Sequence, residues 1–211
     1  MKEKLLAVVA LGLLTITTVY AEDQKTDPSK AEVAYDKKLT DAKSTRKKAS
    51  EKLQRDYEKY GRFSHEVMAD YRAISDTALK MGDFDDSIEY AMFTLKVAMK
   101  LLKADDPKLA KLYYDTGNKY YMHKQHPTAV LYMEKAAAVY NAGEGKGSLA
   151  LADTYEALAS IYVNLQDFKK SLMYNGKALE IRKAKLSNED EAIQRSIMND
   201  AYLHEELKKE Y

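Results

Sequence analysis

Three tyrosines, Tyr71, Tyr113 and Tyr155, stand 42 residues apart, and the chain around them repeats at the same interval. The segments "YRAISDTALKMGDFDDSIEYAMFTLK", "YYDTGNKYYMHKQHPTAVLYMEKAAA" and "YEALASIYVNLQDFKKSLMYNGKALE" align without a gap. Four residues after each Tyr comes Ser75, Gly117 or Ala159. Sixteen after comes Ser87, Ala129 or Ser171, and twenty-three after comes Thr94, Ala136 or Ala178. All nine are small. Two antiparallel helices approach closely only where neither carries bulk at the crossing. Larger side chains then fill the space between: Ile74, Leu158, Tyr120, Tyr162, Phe84, Phe168, Leu95 and Leu179. A unit of this length cannot bury its apolar face alone, so successive units must stack.

Local signals divide each unit into two helices. Asp83 and Asp167 precede Phe84 and Phe168 as N-caps. Asp106-Pro107, and more weakly His126-Pro127, read as N-cap and first helical residue. Asn141-Ala142-Gly143 ends a helix at a glycine, and Ser187 with Asp190 resembles a capping box. Only 8 Gly and 3 Pro interrupt the chain, which favours helix throughout. The expected helices lie near 65–81, 84–103, 107–124, 127–141, 149–165, 168–185 and 189–209.

This order of bulky, small and aromatic positions resembles the tetratricopeptide repeat (TPR). The 42-residue period, with "ALEIRKAKL" and "DDPKLA" at the junctions, is most similar to the kinesin-light-chain-like variety rather than the usual repeat of about 34 residues. The resemblance covers 68–194 and a partial unit beyond. It implies an all-α, right-handed α-solenoid of antiparallel helix pairs over 65–209. The repeats fall near 68–109, 110–151 and 152–193, with a partial fourth over 194–209 and capping helices. His126 stands where an aromatic is usual, Lys124 where Gly is usual, and Asn175 where a larger ring is usual.

The two ends differ from the repeats. "MKEKLLAVVALGLLTITTVYA" has two early lysines, an apolar run of about 14 residues and a small residue at Ala21. That is the pattern of a secretory signal peptide cleaved after Ala21; the run is short of the ~20 residues a spanning helix needs. The expected location is periplasmic or secreted, with membrane contact only before cleavage. Residues 22–30 are polar and expected to be disordered. Residues 31–61 read as a charged helix ending at Gly61, with Tyr35, Leu39, Ala42, Ala49, Leu53, Tyr57 and Tyr60 on one side and Arg46 interrupting them. Packing of that side on the first repeat is the preferred reading, and a dimerising coiled coil the alternative.

Chemistry is sparse. There is no Cys, which excludes disulfides and thiolate sites, and the net charge is +1, which gives no support to nucleic-acid binding. No phosphate loop or zinc-protease motif is present. His123 and His126 are three apart but straddle an expected turn, so no metal, cofactor or catalytic residue is assigned.

The resemblance instead points to a protein or peptide partner on the concave face lined by the first helix of each pair. The residues it places there are Arg72, Asp76, Leu79 and Lys80; Tyr114, Asn118, Tyr121 and Met122; Glu156, Ser160, Val163 and Asn164; and Tyr202. Some TPR domains grip a terminal carboxylate with Lys, Asn and Arg. Here Asp76, Asp115, Asp153 and Ala157 stand at such positions, and the three acids argue against that clamp, while Asp76, Asp115, Asp153 and Glu156 gather towards one face and favour a basic or aromatic partner. The reading is a non-enzymatic adaptor, scaffold or assembly factor. A self-associating structural protein, using the 31–60 helix or the solenoid ends, is the alternative.

Overall fold

The computed structural model describes residues 28–209. The expected signal peptide, its expected cleavage after Ala21 and residues 22–27 lie outside the described residues. The described residues form eight helices and no strand: α1 Pro28–Tyr60, α2 His65–Lys80, α3 Phe84–Leu101, α4 Pro107–Met122, α5 His126–Ala142, α6 Leu149–Asn164, α7 Phe168–Lys185 and α8 Glu191–Lys209. None is long and apolar enough to cross a membrane. The chain divides into two units, 1–44 and 45–211. The second holds three helix pairs, α2/α3, α4/α5 and α6/α7, with each pair packed on the next and α8 on α7. This is a TPR-like solenoid.

Every small position of the repeat is buried: Ser75, Gly117, Ala159, Ser87, Ala129, Ser171, Thr94, Ala136 and Ala178. A β-carbon on Gly117 would sit 3.1 Å from the Met133 side chain, so the second pair closes on a glycine. In the other two pairs a hydroxyl crosses the same gap. Ser75 Oγ donates to Ser87 O at 2.6 Å, and Ser171 Oγ donates to Ala159 O at 2.9 Å. The direction reverses, but both bonds join the two small positions of one unit. Apolar clusters fill the spaces beside these crossings, around Leu95, Leu109 and Tyr132, then Met133, Leu158 and Ile161.

The turn inside each pair is set by one left-handed residue. Gly82, Lys124 and Gln166 have φ of 75°, 59° and 59° and stand 42 apart. After each, the next amide returns to the helix: Asp83 N to Ala78 O, Gln125 N to Tyr120 O and Asp167 N to Tyr162 O, at 3.0, 2.9 and 2.9 Å. This is the Schellman closure, in which glycine is the unstrained choice. The chain therefore carries two side chains where only the first repeat has none.

Caps mostly follow expectation. Asp83, Asp106 and Asp167 side chains accept from Asp86 N, Lys108 N and Lys170 N. Three readings change. The N-cap of α5 is Gln125, without a side-chain bond, and His126 already lies in the helix ahead of Pro127. At α8 the capping oxygen is Asp190 Oδ1, accepting from Ala192 N at 2.9 Å, while Ser187 offers only its carbonyl to Asp190 N. Gly143 does cap α5, but at φ −118°, so left-handed freedom is not its purpose. A β-carbon there would collide with Asp105 O, so the close approach of two loops requires glycine.

Helix α1 is described over Pro28–Tyr60. Its part within the second unit occupies the 42-residue register of a second helix of a pair. Charges, more than the expected tyrosines, tie it to the first repeat. Arg46 pairs with Asp83 at 3.0 Å and also with Asp86. Lys52 Nζ lies 2.5 Å from Asp70, a carboxylate only 4% exposed. Tyr57 and Tyr60 are exposed and Leu53 is half-buried. Lys52 stands at the register of Thr94, and Asp70 at that of Leu112, so charged residues here take positions that are uncharged in the next unit.

Lys124→Gly and Gln166→Gly are each expected to raise stability by about 1 kcal/mol, by removing the left-handed strain, and Gly82→Ala to lower it by a similar amount. Chemical denaturation of the three variants measures this.

Candidate protein-binding face

Helices α2, α4 and α6 bring the expected binding residues into three successive, similar settings. Many are already tied to a neighbour. Arg72 Nη2 donates to Asp115 at 3.1 Å, and Lys119 Nζ donates to Asp76 at 3.0 Å. Asn164 Nδ2 donates to Tyr121 Oη at 3.1 Å. Each bond spans 43 positions, one repeat and one residue, so each joins consecutive first helices. Lys119 is 5% exposed, so its pair with Asp76 is the better shielded of the two α2–α4 ion pairs.

The remaining residues fall into two groups. Tyr114 and Tyr121 are half-buried and pack beside the Met133, Leu158 and Ile161 cluster, so they also serve as inter-repeat packing. Lys111 lies over the Tyr114 ring at 5.3 Å. Lys80, Ser160 and Asn164 are exposed, and Asn118 and Tyr202 are half-buried. Ser160 bonds only to its own helix, at Glu156 O. Burial and the nearby Glu206 charge push the Tyr202 hydroxyl above its ordinary pKa.

Four acids, Asp76, Asp115, Asp153 and Glu156, are the basis for expecting a basic or aromatic partner. The structure instead gives each of them an internal cation. Asp76 and Asp115 are held as described, and Lys111 adds a second pair to Asp115. Asp153 and Glu156 share Arg182, at 2.8 and 2.5 Å. Arg182 is 2% exposed and its second nitrogen donates to Ser196 Oγ at 3.0 Å, so one guanidinium links α6, α7 and α8. Burial disfavours its charge, but the two carboxylates outweigh that and hold its pKa above the usual value. Arg182 takes the register of Ala98 and Tyr140; an arginine in a small-or-aromatic column was the available signal. Asn175, also buried, donates to Ser196 O at 2.8 Å, so both polar departures in α7 serve α8.

A second column was legible but unread. Tyr90, Tyr132 and Tyr174 also stand 42 apart. Tyr90 lies 6.1 Å from Tyr71, Tyr132 lies 6.3 Å from Tyr113, and Tyr174 lies 5.9 Å from Tyr155. Lys135 sits over the second couple and Lys177 over the third, 5.1–5.8 Å from the ring centres. Phe93 takes that place in the first, 5.3 Å from Tyr71.

The two turn histidines part company. His123 stacks on Phe84 and faces Asp85 at 3.4 Å, while His126 lies against Tyr121. Among the described residues no three His, Cys, Asp or Glu are grouped to hold a metal.

The stacked pairs have counterparts in TPR-like repeat proteins, by a sequence match over part of the chain and by fold over most of it. Residues 67–142 match the tetratricopeptide repeat family. The nearly identical TPR-like repeats of a Podosopora anserina kinesin light chain superpose with a TM-score of 0.70 at 13% identity, covering 86% of each chain. BtubC (BKLC) from P. vanneervenii superposes with a TM-score of 0.61 at 14% identity, covering 82% of this chain and 84% of that one. At such identities the likeness is one of fold. No curated protein sequence matches the chain.

Burial first, then the Glu134 charge and its hydrogen bond, push the Tyr174 hydroxyl from 10.0 up to about 12. A folded pKa raised above the unfolded one gives stability that is full below about pH 10 and lost as pH rises towards 12. Stability is expected to fall over that window, with a shallower fall in Tyr174→Phe. Denaturant titrations at stepped pH, alongside tyrosinate absorbance, measure both.

Proposed function

We propose that this chain is an exported, non-enzymatic interaction module that holds a segment of another protein along its A-helix face, as an adaptor, scaffold or assembly factor. The supporting observation is the stacked register itself. Three equivalent helices present Lys80, Asn118, Met122, Ser160 and Asn164 at matching positions with an exposed or half-exposed side chain. Their ion pairs and the Tyr121–Asn164 bond fix the spacing between helices before any partner arrives, which lowers the ordering cost of binding. Because the acids are already paired, selectivity for a partner rests on amide, hydroxyl and aromatic contacts more than on net charge. Export rests on the leader pattern alone.

The test is capture from an envelope extract by tagged protein, compared with a Lys80→Glu, Asn118→Ala, Ser160→Arg variant. These positions carry no buried ion pair, so unfolding temperature is expected to stay unchanged while the captured partner is lost. Mass analysis of the exported protein is expected to start at Glu22. A partner retained in full by the variant rules out this face.

One observation favours self-association as a second reading. On α8, Ile197 and Met198 are 43% and 49% exposed, and Ala201 is exposed too. They take the register of Tyr155, Glu156 and Ala159, where the other first helices meet their partners. Sedimentation is expected to show mass rising with concentration, reversed by Ile197→Glu; a constant monomer mass refutes it.

A further inference from the structure

The two junctions between successive second helices share one plan but differ in chemistry. Between α5 and α7 the tyrosine hydroxyls find polar partners. Tyr174 Oη donates to Glu134 at 3.2 Å, and Asn141 Nδ2 donates to Tyr155 Oη at 2.8 Å. Between α3 and α5 the same two places hold methionines. Tyr132 Oη donates to Met92 Sδ at 3.0 Å, and Tyr113 Oη to Met99 Sδ at 3.3 Å. Thioether sulfur is a weak acceptor, so these two hydroxyls are poorly satisfied. Phe93 makes a third exchange, where the later repeats have Lys135 and Lys177.

These exchanges leave an open, apolar groove of about 350 Å³, at the lower end of binding-cleft sizes. Met92, Phe93 and Met99 on its walls are 38%, 37% and 55% exposed. Both charged residues that line it, Lys96 and Lys135, are basic. Lys135 lies over the floor tyrosines rather than in an ion pair, so its charge faces the groove without a carboxylate partner there. Methionine adapts its shape to many apolar side chains, and the two lysines select the sign of what flanks them.

We infer that the groove between α3 and α5 is a second docking site, for an acidic amphipathic segment of a partner protein. Its apolar side chain enters among Met92, Phe93 and Met99, and its carboxylates meet Lys96 and Lys135. This site lies between second helices, with Tyr113 of α4 in its floor, uses none of the residues expected on the A-helix face, and stands whether or not that face is occupied.

The experiment uses the full chain and three short labelled peptides. The first has leucines at helical spacing and glutamates elsewhere; the second replaces glutamate by lysine, and the third replaces leucine by serine. Fluorescence anisotropy is expected to show saturable, salt-weakened binding of the glutamate–leucine peptide alone. Methyl spectra are expected to shift Met92 and Met99 and leave Met122 and Met173 unmoved. Met92→Glu with Met99→Asn gives this junction the side chains the next one already folds with, and is expected to weaken binding by about tenfold or more. Phe93→Ser provides the same test by a single change that adds no charge. Equal binding of the lysine–leucine peptide, binding unaffected by either variant, shifts only at Met122 or Met173, or no binding of any peptide overturns the proposal.

Discussion

The crossing of two small residues inside each helix pair is the constraint on which the rest of the molecule depends. At Ser75–Ser87, Gly117–Ala129 and Ala159–Ser171 the two backbones come close enough for a serine hydroxyl to reach the opposite carbonyl, or for a methionine to lie on a bare glycine. Bulk there would part the helices and lengthen every contact beside the crossing. With a small-residue crossing at the same place in all three, the pairs acquire similar geometry. That similarity is what brings residues 43 apart on the first helices, and tyrosines 19 apart within a pair, into repeated contact.

Charge then works as an internal tie more than as a lure. The acids on the A-helix face are answered by Arg72, Lys111, Lys119 and Arg182, and α1 is bound to the first repeat by Arg46 and Lys52. Exposed pairs of this kind add little stability singly. The pairs with a buried cation, at Lys119 and Arg182, fix where each element sits, because leaving that cation unpaired would be costly. The side chains outside these ion pairs include Lys80, Asn118 and Ser160 on the first helices and Met92, Phe93 and Met99 on the second.

Much of this was legible. The period, the nine small positions and the Asp caps gave the helix pairs and their boundaries to within a few residues. The Tyr90, Tyr132 and Tyr174 column was equally visible. It went unread because a tyrosine in a helix signals packing without naming its partner. Arg182 was harder, since one arginine in a charged run looks solvated until the fold buries it. The acids at 76, 115, 153 and 156 misled for a related reason. Arg72 and Lys111 stand one turn from Asp76 and Asp115, but the cations that tie these acids to other helices lie 26 to 43 residues away, where a linear reading does not connect them. Asp190 displaced Ser187 as a cap because either oxygen could serve, and only the entry angle of the chain chooses.

The sequence by itself determined the class of fold and its phase. A 42-residue alternation of small and bulky positions admits one way of stacking helix pairs, and its turns are marked by the residue before each Asp or Gln cap. The tertiary structure decided which polar residues are consumed in holding the stack and which remain for a partner. It also decided that one junction of two would be lined by methionine and phenylalanine in place of Glu134, Lys135 and Asn141. Those outcomes depend on which side chains from distant repeats meet. Periodicity fixes that a meeting occurs, whereas its chemistry lies in the particular pair.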